Sequence, residues 1–147
     1  ICEEAAQAIR DGKTLLVLSD KKIRQGFLPA NALMATGAVH HYLINVGLRT
    51  DANIIVETAL ARDPHQFAVI LGFGATAIYP YLAYDVINDL VEKGDLLGDP
   101  LYAQSSFRKG IDKGLLSHRA HRSRGGIVQI NGHVPAFLRA SEKEMSL

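Results

Sequence analysis

The stretch Asp51–Asp85, DANIIVETALARDPHQFAVILGFGATAIYPYLAYD, decides the fold. Ala52 to Val56 is an apolar, β-branched run that ends in the polar pair Glu57 and Thr58, which predicts a buried strand. Asp63 followed by Pro64 predicts a helix start. The carboxylate accepts from free backbone N–H groups, and proline costs nothing at the first helical position. Gly72 and Gly74 stop that helix. Ala75 to Ile78 then resumes as a short buried strand, which Tyr79-Pro80 closes.

The same alternation extends in both directions. Upstream, Ile1 to Arg10 has helical spacing and ends at Asp11-Gly12. Thr14 to Leu18 follows as a strand, with Ser19 and Asp20 at its carboxyl end, and Lys21 to Gly26 is a charged loop. Asn31 to Val46 is helical by periodicity, with Ala32, Ala35, Val39, Leu43 and Val46 in one narrow sector. Leu33 and Ile44 lie outside that sector, so the helix is expected to be covered by more than its own sheet. Downstream, Leu82 to Val91 carries a stripe of Ala83, Val86, Ile87, Leu90 and Val91. Leu101 to Leu116 holds a weaker helical pattern, interrupted by Gly110 and Gly114.

Apolar strands alternating with helices predict an α/β fold of repeated βα units with a parallel sheet. Three strands do not close a barrel, which needs about eight. The expected object is an incomplete βα-barrel-like piece.

The 147 residues are 48% hydrophobic, enough for one domain with a real core. No apolar run has membrane-spanning length and no charged-then-apolar leader is visible, so a soluble, cytoplasmic chain is expected. Cys2 is the single cysteine, which excludes an intrachain disulfide or an all-cysteine cluster. The start at Ile1 suggests a piece of something longer. Net charge is +1, but acids outnumber bases before residue 115 and bases outnumber acids after it. Ser117–Leu147 holds His118, His121 and His133, clustered arginines and one plausible strand, Ile127 to Ile130. It is expected to be a divergent basic tail, mostly irregular, beyond a first region of residues 1–116.

In parallel α/β sheets, chemistry sits beyond the carboxyl ends of the strands. Those ends carry Ser19 and Asp20, Glu57 and Thr58, and Tyr79. Asp20, Glu57 and Tyr79 are therefore the weak catalytic candidates, either as an acid/base set or as residues that only cap helices and bind loop N–H groups. His40 and His41 are adjacent on a helix and point about 100° apart, so no metal site is expected. The glycines at 72 and 74 follow a helix and precede a strand, the reverse of a phosphate-binding loop. The run His118–Arg124 lacks interleaved aromatics and reads as a solvated basic segment, not a nucleic-acid site. Cys2 lies beside two acids, a setting that does not activate a thiol. No complete catalytic, cofactor-binding or metal site emerges, and no nucleic-acid or membrane partner is expected.

The words of the opening segment, together with DGKTLLVLSD (residues 11–20), LPANALMATGAVHHYLI (28–44) and FRKGIDKGLL (107–116), resemble the central domain of the large subunit of bacterial NADPH-dependent glutamate synthases. The resemblance is nearly continuous up to Leu116 and ceases from Ser117, which suggests a tail foreign to the family. It implies a βα-barrel-like linking domain between a glutamine-hydrolysing amidotransferase domain and an FMN-binding synthase domain, with a part in the ammonia route between them. The whole enzyme would make L-glutamate from L-glutamine and 2-oxoglutarate. FMN and an iron–sulfur cluster would sit elsewhere in the full-length subunit, with electrons from a small flavoprotein subunit. None of the family's catalytic signatures falls on these residues. The remaining readings are an independent small α/β enzyme or an inactive truncated remnant.

Overall fold

The structure is a computed structural model. It describes residues 1–122 apart from 23, 24 and 27, and only the backbone of 118–122. The chain runs α1 (Cys2–Arg10), β1 (Leu15–Ser19), α2 (Ala32–Asn45), a 3-10 turn (Arg49–Asp51), β2 (Asn53–Glu57), α3 (Pro64–Gly72), β3 (Ala77–Tyr79), α4 (Tyr81–Glu92) and α5 (Pro100–Arg122). The three strands form one parallel sheet in the order β1-β2-β3. This is the expected α/β arrangement, and among the described residues the sheet is not closed into a barrel.

Register places Leu16 beside Ile54, Ser19 beside Glu57, and Glu57 beside Tyr79. Because side chains alternate along a strand, Leu16, Ile54, Val56 and Ile78 share one face, and all four are buried. α2 packs on β1 and β2, and α3 packs on β3 and on α2. Val39 and Leu43 of α2 are fully buried against this face. The opposite face carries Leu15, Val17, Ser19, Asn53, Ile55, Glu57, Ala77 and Tyr79. Leu15 and Val17 are each 48% exposed there. Among the described residues, one face of the sheet is therefore a packed core, and the other is exposed along β1 at Leu15 and Val17.

Local chemistry explains the helix starts. Asn31 caps α2, its side chain accepting from the N–H groups of Leu33 and Met34. Asp63 caps α3 through the N–H groups of His65 and Gln66, while the Gln66 side chain accepts from the backbone N–H of Asp63 and completes a capping box. Asp99 accepts from Leu101 N at 2.7 Å and opens α5.

Two expectations are corrected. The strands lie one or two residues further along than the apolar runs, because the polar end residues Ser19, Glu57 and Tyr79 still pair in the ladder. Gly110 and Gly114 do not interrupt α5, which is continuous for 23 residues. A Cβ at Gly114 would overlap the Pro64 ring, so this glycine lets α5 approach the start of α3. α5 continues as helix to Arg122, across the position of the boundary expected after Leu116. The expected strand at 127–130 falls outside the described residues. In α4 the expected stripe is only partly covered: Val86 is 49% exposed, and no residue of that helix is fully buried.

Candidate functional site

The carboxyl ends of β1 and β2 bring Asp20 and Glu57 together, but each is engaged from within the chain. The Glu57 side chain is buried at the end of β2. It accepts a hydrogen bond from the hydroxyl of Ser19, its register partner. The Lys21 ammonium stands 3.9 Å from its other oxygen. Asp20 follows β1 on the helix-covered side and accepts from the Thr58 hydroxyl at 2.6 Å and from Ala59 N at 3.1 Å. Thr58, fully buried, in turn accepts from Leu60 N at 3.1 Å. The loop after β2 is thus pinned to the end of β1 by one carboxyl group and one hydroxyl.

The first residue of α4 joins this group. The Tyr81 hydroxyl hydrogen-bonds Asp20, and the Lys21 ammonium lies 5.4 Å from the Tyr81 ring centre. Burial pushes the Tyr81 phenol up from its ordinary value, helped by the hydrogen bond to Asp20 and the charges of Asp20, Glu57 and Asp85. The phenol therefore holds its proton, which it donates toward the carboxyl group.

Tyr79 is the register partner of Glu57 on the neighbouring strand. Its ring packs against Tyr84 with centres 5.7 Å apart, and Tyr84 meets Phe107 of α5 edge-on at 6.1 Å. Tyr79 thus begins an aromatic chain that ties β3 to the α4–α5 pair. Ser19, Asp20, Lys21, Glu57, Thr58 and Tyr81 make up the actual polar group. Sequence reading missed Lys21 and Tyr81; the signal for Tyr81 was its place directly after Pro80, at the start of a helix rooted above the strand ends.

Among the described residues no buried side-chain nitrogen or oxygen lacks a hydrogen-bond partner. No group of three or more His, Cys, Asp or Glu among them is arranged to hold a metal ion. His40 and His41 meet ring edge to ring face at 5.4 Å, and His40 is taken up by Arg49 instead. No described helix is long and apolar enough to cross a membrane. Chemically, these contacts hold the loops at the strand ends in place.

Fold and site together define an α/β segment of repeated βα units whose polar strand ends are linked by internal hydrogen bonds. Its family follows from comparison with known proteins. Residues 1–136 match the family model of the glutamate synthase central domain, and the chain belongs to that family. The match runs past residue 116 into the segment expected to be foreign. The chain is 43% identical over 128 residues to the ferredoxin-dependent glutamate synthase of Pyropia yezoensis, covering 79% of this chain and 8% of that protein. It is 42% identical over 113 residues to the NADPH glutamate synthase large chain of Bacillus subtilis, covering 77% of this chain and 7% of that one. The NADH glutamate synthase of Schizosaccharomyces pombe is 33% identical over 131 residues, 88% of this chain and 6% of its own length. The chain thus spans less than a tenth of the length of these relatives.

Proposed function

We propose that this chain is a linking segment of a glutamate synthase subunit, one that positions an amidotransferase domain and an FMN-binding synthase domain and helps shape the ammonia route between them. The observation that carries the reading is the central-domain match over residues 1–136, set beside strand ends where no described buried side-chain nitrogen or oxygen lacks a partner. A scaffold needs its strand ends fixed, whereas a catalyst needs at least one of them available. On this reading the chain holds no complete active site, and Asp20, Glu57 and Tyr79 are structural. FMN and the iron–sulfur cluster belong to other parts of the full-length subunit, and the location is cytoplasmic.

The open sheet face supports the same reading. Parallel sheets are normally covered on both faces, and their strands read as continuous apolar runs for that reason. β1 is such a run, LLVLS, yet Leu15 and Val17 stand half exposed. Further parts of the same subunit would cover them. NADPH as the electron source follows the NADPH glutamate synthase large chain of Bacillus subtilis, and a small flavoprotein subunit as its carrier follows the family resemblance. The ferredoxin-dependent relative at nearly equal identity supports ferredoxin as a second possibility.

The test is ligand binding by the purified chain. L-glutamine, 2-oxoglutarate and FMN, each added in turn, are expected to leave the melting temperature unchanged. A ligand at a hundred times its Kd would stabilise the fold by about 2.7 kcal/mol, a rise of several degrees for a chain of this size. Such a rise would instead support an independent small enzyme built on Asp20, Glu57 and Tyr79.

A further inference from the structure

At the amino end of the sheet, opposite the polar group, one guanidinium joins three separate segments. Arg49 Nη1 donates to the carbonyl of Ala52, just before β2. Nη2 donates to the carbonyl of Gly74, in the turn between α3 and β3. Nε donates to His40 Nδ1 on α2. All three bonds are 2.8 Å long. No carboxylate forms an ion pair with Arg49 among the described residues. Its compensation is the two carbonyls, one of them beyond the carboxyl end of α3, where the helix dipole favours a cation.

The third bond constrains a proton. Arginine has only donors, so His40 Nδ1 must be bare to accept from it. A protonated imidazole would turn an N–H toward the guanidinium and set two cations side by side. The turn has no room to relieve this, because a Cβ at Gly74 would overlap the His40 ring, and Gly74 has φ +113°. Arg49 from the 3-10 turn and His41 from α2 are the titratable groups that bear on His40, and both oppose its protonation. The α3–β3 turn presents only the backbone of Gly74. Burial, Arg49 and His41 all hold His40 below the ordinary histidine value.

We propose that the Arg49–His40 contact is a proton-sensitive latch: neutral His40 holds the guanidinium in place, and protonation of His40 releases it, loosening the grip on Ala52 at the start of β2 and on Gly74 at the entry to β3. The device acts on the sheet through the two segments whose far ends carry Glu57 and Tyr79. It stays closed at neutral pH and opens on acidification.

The experiment uses the full 147-residue chain labelled with 15N. Imidazole spectra are expected to show His40 as the Nε2–H tautomer at pH 7.5, protonating only below the ordinary histidine range. The amide signals of Asn53 and Ala75, which follow the two gripped carbonyls, are expected to move with the same midpoint. His40→Asn keeps an acceptor near the Nδ1 position without a titrating ring. It is expected to abolish the wild-type loss of melting temperature, relative to the variant, between pH 7.5 and pH 5. An Nδ1–H tautomer at pH 7.5, or Asn53 and Ala75 signals flat through the His40 titration, would overturn the latch. So would equal pH dependence in the two proteins. Should His40→Asn not fold, the wild-type titration alone decides.

Discussion

The two faces of the sheet are built from the same kind of residue and meet different fates. Leu16, Ile54, Val56 and Ile78 point into the helix layer and are buried, whereas Leu15 and Val17, on the same five-residue strand as Leu16, are half exposed. Amino-acid type does not separate the faces; the presence of a partner layer does. On the proposed function, that exposed apolar surface is where further parts of the subunit would pack, the chain spanning less than a tenth of the length of its relatives.

Substitutions sharpen that contrast. On the covered face, Ile54→Ala or Leu43→Ala removes a fully buried side chain. Each is expected to cost about 2–5 kcal/mol in chemical denaturation. Next, at the outer helix layer, Gly114→Ala drives a methyl into the Pro64 ring and is expected to cost about 1–3 kcal/mol. Asp63→Ala removes the α3 cap and should cost about 1 kcal/mol. On the open face, Val17→Ser should change stability by no more than about 0.5 kcal/mol. It should nonetheless reduce self-association of the isolated chain in light scattering, because exposed apolar surface and free strand edges favour pairing. A loss of several kcal/mol at Val17 would mean that this face is already packed.

Acid adds a smaller effect. His40 is held below the ordinary histidine value by burial, Arg49 and His41, so the unfolded chain takes up this proton first. The contribution is complete above the ordinary histidine pKa of about 6.5 and is lost as pH falls through the lowered value. Thermal melts from pH 8 down to pH 5 should show stability declining only over the acidic part of that range.

Much of the architecture was legible in the residues. Asn31 and Asp63-Pro64 announce their helices because capping and proline placement are local chemistry. The strands are legible as apolar runs, though their ends are not, since Ser19, Glu57 and Tyr79 pair despite being polar. Where the reading failed, a distant residue was responsible. Gly114 looked like a helix break, and only the Pro64 ring, fifty positions away, explains it. Tyr79 reads in sequence only as a strand end, and its ring contact with Tyr84, which in turn meets Phe107, forms only in the fold. Arg49 gave no signal at all, because its partners His40, Ala52 and Gly74 meet only in the fold. The open face was equally hidden: an apolar run on both sides of a strand says that both sides want cover, not which one this chain supplies.

The central claim is that β1 presents to its neighbours in a larger subunit the face that this chain leaves open. Covalent footprinting read by mass spectrometry, on this chain alone and on a full-length glutamate synthase relative, tests it most directly. Leu15 and Val17 should be strongly modified in the isolated chain, and their counterparts protected in the full-length protein. Equal modification in both would contradict the account.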